Sequence, residues 1–186
     1  MSNKLVLVRH GESRGNVWSP ANRDDRTNFL SKKGHKQAEL AGIELATDDF
    51  KFETTISSQM TRACQTLVTI MEQFDSNVHQ RAHVTDKRLN ESRNKAAEQS
   101  HKVDVYAAMH DLVMPALEKG NVLCVTHYFT MQRIFDFLHI KSHEFWCKGR
   151  HIPNAMPSVY EPTAPNVYNP KEWVIYNHYF ERTQYL

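Results

Sequence analysis

The sequence predicts an α/β domain, a three-layer α/β/α sandwich around a mostly parallel central sheet. Three observations predict it. Short runs of β-branched and aliphatic residues alternate with longer segments whose apolar residues recur at helical spacing, the order that builds a parallel sheet with helices on both faces. The runs at 4–8 and 122–126 are almost wholly apolar, as strands covered on both faces are. The chain has 186 residues, 40% hydrophobic and 24% charged, which sets one globular domain over 1–186 with a sizeable core.

The elements follow in order. Residues 4–8 form the first strand, and the polar stretch 11–30, with Gly11, Gly15 and Pro20, is a long loop. Ser31 caps a helix reaching about Thr47, with Ala38, Leu40, Ala41, Ile43, Leu45 and Ala46 as its apolar stripe. A β-branched strand at 54–57 leads into a helix over 60–74, where Ala63, Leu67, Ile70, Met71 and Phe74 share a face. A strand follows at 84–89. Residues 90–102 are charged with few apolar positions and read as a solvated or mobile segment. A helix over 103–117 ends at Gly120-Asn121. The strand at 122–126 and a helix over 129–138 come next. Beyond Pro153 four more prolines change the character of the chain, and 173–180 reads as a closing strand. There is no internal repeat and no low-complexity segment.

Composition excludes several classes. A net charge of +2 does not advertise a nucleic-acid or membrane-surface protein. No apolar run approaches the ~20 residues that span a bilayer, and 1–4 lacks the apolar core and cleavage site of a secretory leader. Cys64, Cys124 and Cys147 cannot all pair and have no C-x-x-C spacing. A disulfide scaffold is thereby disfavoured and a reducing cytoplasm expected. Oligomeric state is not legible.

In parallel sheets, sites lie beyond the carboxyl ends of the strands. After the first strand stand Arg9, His10, Gly11, Glu12 and Ser13, then Asn16; after the second, Ser58 and Arg62; after the third, Asn90 and Glu91; after the fourth, His127. Two histidines, two arginines and the Glu91 carboxylate on one edge suit a phosphoryl group. A neutral imidazole attacks phosphorus, guanidinium forks bind the oxygens, and a carboxylic acid protonates the leaving oxygen. A lone histidine near a strand end is more often structural; the joint placement carries the signal. His139 and His143, four apart, have no third ligand partner and read as surface residues, and Cys124 as core. Ser57 and Ser58 lack the G-x-S-x-G elbow of a serine hydrolase.

The run Leu5-Val6-Leu7-Val8-Arg9-His10-Gly11-Glu12-Ser13 with Asn16 resembles the opening signature of the histidine phosphatase (phosphoglycerate-mutase-like) superfamily. Leu30-Ser31 with Gly34, Gln37-Ala38 and Gly42 is similar to its first-helix pattern. Ser57-Ser58, Arg62-Ala63 and Gln65-Thr66 resemble its second block, Leu89-Asn90-Glu91 its acid block, and Val125-Thr126-His127 its second histidine. Ile152-Pro153-Asn154-Ala155 with Ser158-Val159 resembles a late asparagine-and-strand segment. The resemblance implies a phosphoglycerate-mutase-like fold and a phosphomonoester hydrolase. His10 would be the nucleophile that becomes phosphohistidine, and Glu91 the general acid and base. Arg9, Arg62 and His127 would form the phosphate pocket, with Asn16 and Ser13 beside it. It implies no metal and no cofactor, and as partner a small phosphorylated metabolite or a phosphoprotein.

Two departures stand out. Tyr128 occupies the position where the family usually has glycine, which puts the local turn in question and brings a ring that could narrow the pocket or stack on a substrate. Ser92-Arg93-Asn94-Lys95 replaces the arginine, tyrosine and glycine that follow the acid in the glycolytic mutase branch, which favours a phosphatase. A mutase, and a module that binds a phospho-ligand without turnover, stand as alternatives.

Overall fold

The computed structural model describes residues 3–17, 28–74, 82–92, 94–138 and 152–161. Five strands, β1 (Leu5–Arg9), β2 (Phe52–Ser58), β3 (Ala82–Asp86), β4 (Asn121–Thr126) and β5 (Pro157–Tyr160), form one sheet in the order β3-β2-β4-β1-β5. β1, β2, β3 and β4 run parallel, and β5 pairs antiparallel with β1. β4 and β1, the two apolar runs, lie side by side with Leu5 opposite Val122 and Arg9 opposite Thr126. Their carboxyl ends therefore finish level.

The alternation of side chains along β1 and β4 divides the core. Leu5, Leu7, Val122 and Cys124 pack on one face against α4 (Glu98–Ala108), α5 (Met114–Lys119) and α6 (Tyr128–Phe137). Val6, Val8, Leu123 and Val125 pack on the other against α2 (Lys32–Thr47) and α3 (Thr61–Met71). This is the expected three-layer architecture. Ser31 caps α2 as its sequence position predicts, accepting from the Gly34 amide at 3.0 Å. Burial pushes the Cys124 thiol up to about 12, so it behaves as core.

Four expectations need correction. The 11–30 loop contains a helical turn, α1 (Arg14–Val17), whose entry is fixed by Ser13 pairing with Leu30. The third strand stops at Asp86, because its carboxylate accepts from the Arg88 amide and turns 87–89 into a 3₁₀ helix. The charged 90–102 segment is not a free loop. Asn94 caps a 3₁₀ turn at Lys95–Ala97, and α4 begins at Glu98. His101 is buried on the same stripe as Val105 and Ala108. The helix expected over 103–117 thus runs from Glu98 to Lys119, with a π-helical stretch at Met109–Val113. Pro115 explains that stretch: it lacks an N–H and its ring crowds the carbonyl of residue 111, so the ladder widens just before it. The strand expected at 173–180 lies outside the described residues; among those described, β5 closes the sheet.

Candidate active site

The carboxyl ends of β1 and β4 deliver the two histidines. His10 follows β1, and its own amide donates to Thr126 O at 2.9 Å, locking it to the end of β4. The loop that leaves His10 lies against the first turn of α2. A Cβ on Gly11 would meet Gly34 O at 2.5 Å, and one on Gly34 would meet Glu12 O at 2.0 Å. Two glycines are needed for that approach. The 152–155 segment closes over the same place. Asn154 Nδ2 donates to His10 O, the Ala155 amide to Arg9 O, and Arg9 Nη1 to Ile152 O, at 2.7, 2.7 and 2.6 Å. Ala155 is buried with a left-handed backbone (φ 52), a conformation that costs a non-glycine residue about 1–3 kcal/mol and persists only where its surroundings fix it.

The tautomer of His10 follows from its partners. Nδ1 lies 2.7 Å from Gly11 O, which can only accept, and Nε2 lies 3.1 Å from Arg62 Nε, which can only donate. His10 therefore carries its proton on Nδ1 and a lone pair on Nε2. Arg62, the second residue of α3, is the bulkiest of the fully buried side chains described. A buried guanidinium is suited to binding an anion.

His127 precedes α6 in the N-cap position but makes no capping bond with its side chain. Its ring is fully buried, edge-on to His10 with centroids 5.0 Å apart, and Nε2 is 2.7 Å from Ser58 Oγ. Burial, reinforced by the charges of Arg62 and Arg9, holds the imidazole well below its ordinary range. His127 is neutral at pH 7.

Glu91 is buried, and its Oε1 accepts from the Phe129 amide in the first turn of α6 at 2.9 Å, a favourable place for a carboxylate. One donor atom each from His10, Glu91 and His127 lies within 4.8 Å of the others. Such a trio could ligate a metal by distance alone. The Arg62 guanidinium on the His10 lone pair and the positive field of Arg9 and Arg62 on His127 suit an anion instead.

Arg9, His10, Arg62, Glu91 and His127 thus meet at one edge, as the strand ends predict. Ser13 and Asn16 bond to each other: Asn16 Oδ1 accepts from the Ser13 amide and hydroxyl at 3.0 and 2.7 Å, so Nδ2 is its donor end. Tyr128 opens α6 in helical backbone and is not among the positive-φ residues. Glycine is therefore not required there. Its ring stands 5.5 Å from the Arg9 guanidinium carbon.

Sequence reasoning found Ser58 and Asn90 at strand ends but gave them no role, and it missed His101. The signal for His101 was its spacing, four and seven residues before Val105 and Ala108 on one helix face.

A family model for the histidine phosphatase superfamily (branch 1) matches residues 5–116. The chain belongs to that superfamily. A curated relative, the 2,3-bisphosphoglycerate-dependent phosphoglycerate mutase of Treponema denticola, is 28% identical over 136 residues, covering 65% of this chain and 52% of the mutase. The chain spans about half the length of that relative. Solved superfamily folds resemble it at lower identity. SixA of Agrobacterium tumefaciens superposes with TM-score 0.62 at 17% identity, over 87% of this chain and 92% of that one. A mycobacterial glucosyl-3-phosphoglycerate phosphatase in complex with VO3 gives 0.61 at 21%, over 85% and 90%. These likenesses establish the fold. Among the described residues, no helix is long and apolar enough to cross a membrane.

Proposed function

We propose that this superfamily member hydrolyses phosphomonoesters through a phosphohistidine on His10, with Glu91 as general acid and base and without a metal. The observation that carries the reading is the His10 tautomer: a buried imidazole with Nδ1–H held by Gly11 O and a lone pair on Nε2. Arg62 Nε donates to that lone pair at 3.1 Å. An arriving phosphate dianion draws the guanidinium onto its oxygens and uncovers the nucleophile.

Nε2 then attacks phosphorus, the P–N bond forms as the P–O bond breaks, and Glu91, which takes up a proton from solvent beside the bound phosphate dianion, gives that proton to the leaving oxygen. Arg9, Arg62 and His127 stabilise the charge on the equatorial oxygens, with Asn16 Nδ2 and Ser13 at the loop side. Water next attacks the phosphohistidine. Glu91 takes its proton, the P–N bond breaks, and orthophosphate leaves with His10 restored to its Nδ1–H form.

The substrate is a small phosphorylated metabolite or a phosphoprotein. The names of the relatives support both: a phosphoglycerate mutase and a glucosyl-3-phosphoglycerate phosphatase point to a metabolite, and the phosphohistidine phosphatase SixA to a phosphoprotein; three cysteines without a paired framework fit a cytoplasmic setting. Hydrolysis is favoured over mutation by the sequence after the acid, Ser92-Arg93-Asn94-Lys95, which lacks the mutase pattern.

The test is phosphate release from a generic aryl phosphate in EDTA, with wild type beside His10→Ala. Release by wild type alone is expected. Release by the variant, or release abolished by EDTA, would contradict the mechanism. Phosphoryl exchange between carbons outrunning release would indicate a mutase instead.

A further inference from the structure

We propose that Asn90, acting through Ser58, is a positioning residue that fixes the tautomer of His127. Donor and acceptor chemistry fixes each proton along the relay. The Gln59 amide donates to Asn90 Oδ1 at 3.0 Å, so the carboxamide presents its oxygen to the end of β2. Ser58 Oγ lies 2.9 Å from that same oxygen. Two acceptors do not face each other at that distance, so the single Ser58 proton goes to Asn90. The Met60 amide donates to Ser58 Oγ at 3.1 Å. The remaining neighbour of Ser58 Oγ is His127 Nε2 at 2.7 Å, and with its proton already committed the hydroxyl must accept. His127 is therefore the Nε2–H tautomer.

The other ring nitrogen makes the point functional. His127 Nδ1 is buried and has no hydrogen-bond partner among the described residues. A buried nitrogen without a partner is costly unless it serves a ligand. With Nε2–H anchored on Ser58, Nδ1 is the atom that takes a proton when an anion arrives. The imidazolium then donates at Nδ1 with no rearrangement at Nε2.

Asn90 is itself held from behind. Its carbonyl accepts from His101 Nε2 at 3.0 Å and Thr130 Oγ1 at 3.3 Å. Those partners come from α4 and α6, so the relay is braced by the segment that composition alone reads as solvated. Asn90 and Glu91 are neighbours in sequence. One residue supplies the proposed acid and the next one back sets the proton on the second histidine.

The inference takes the proposed phosphoryl transfer as its setting, but its test does not depend on turnover. Histidine-labelled protein is examined at about pH 8, where imidazoles are neutral, by long-range ¹H–¹⁵N NMR. His127 is assigned by the signals lost in His127→Gln. The expected result is a protonated Nε2 and an unprotonated Nδ1 in wild type. Asn90→Ala frees the Ser58 proton to turn toward His127, so a mixed or inverted tautomer is expected. With it comes a fall in kcat/KM for the aryl phosphate of roughly tenfold or more, the scale of one hydrogen bond to a charged group. Asn90→Asp keeps the accepting oxygen and should keep the wild-type tautomer, which a merely structural role for the side chain would not predict. A wild-type His127 protonated on Nδ1 overturns the proposal without any variant, and so does an Asn90→Ala protein that retains pure Nε2–H.

Discussion

The ends of β1 and β4 look interchangeable. Each strand is apolar, the two pair in register, and each hands over to a buried histidine. Their rings stand 5.0 Å apart, yet they carry their protons on opposite nitrogens. At the end of β1 a backbone carbonyl, Gly11 O, takes the Nδ1 proton and a guanidinium guards Nε2. At the end of β4 a hydroxyl whose own proton is spent on Asn90 takes the Nε2 proton and leaves Nδ1 open. In the proposed mechanism the same residue type in the same topological slot serves as a nucleophile in one place and a proton-accepting anion ligand in the other. Partners, and neither fold nor burial, make the difference.

The largest way to break the comparison is His10→Ala. Turnover should fall by at least about 10⁴-fold, the scale of removing a covalent nucleophile, while His127→Ala should leave measurable activity. Steady-state phosphate release checks both. Glu91→Gln should cost about 10²–10⁴-fold. The loss should be greater for alkyl than for aryl phosphates, since a phenolate leaves without a proton; equal losses would remove Glu91 from the role of acid. Arg62→Lys keeps a cation but removes the Nε–H that meets His10 Nε2. A drop on the order of 10²-fold in kcat/KM is expected.

A smaller effect sharpens the β4 side. The unfolded chain titrates histidine near its ordinary value of 6.5, whereas folded His127 lies well below it and folded His101 below it. In the window beneath 6.5 the unfolded state binds more protons, so stability present at neutral pH is lost on acidification. Each such group contributes up to about 1.4 kcal/mol per pH unit. Denaturant titrations from pH 7.5 down to about 5.5 should show that slope, and His127→Gln should flatten it. The smallest effect belongs to Tyr128→Gly. Because Tyr128 sits in helical backbone, Tyr128→Gly should be less stable than Tyr128→Ala by roughly 0.5–1 kcal/mol, read as a lower Tm.

Much of this was written in the residues. The apolar runs at 4–8 and 122–126 reveal a sheet buried on both faces, and Ser31 reveals the start of α2. The five charged or polar groups at strand ends fall where a parallel sheet must place them. What escaped did so for physical reasons. The segment after Glu91 is charged and lacks an apolar run, yet Asn94 caps a turn there and His101 packs inward on the stripe of Val105 and Ala108. Polar residues that satisfy one another in the interior look the same in sequence as polar residues in water. The relay from Asn90 to His127 is of that kind, since it joins residues 58, 90 and 127, and no local pattern links them.

The decisive atom is the His10 nitrogen that attacks phosphorus. Wild-type protein mixed with aryl phosphate is quenched in base, where phosphohistidine survives, and the phosphorylated peptide is read by ³¹P NMR and mass spectrometry. Phosphate on His10 at Nε2 is expected. Phosphate on Nδ1, on another residue, or on none while turnover proceeds would contradict the mechanism.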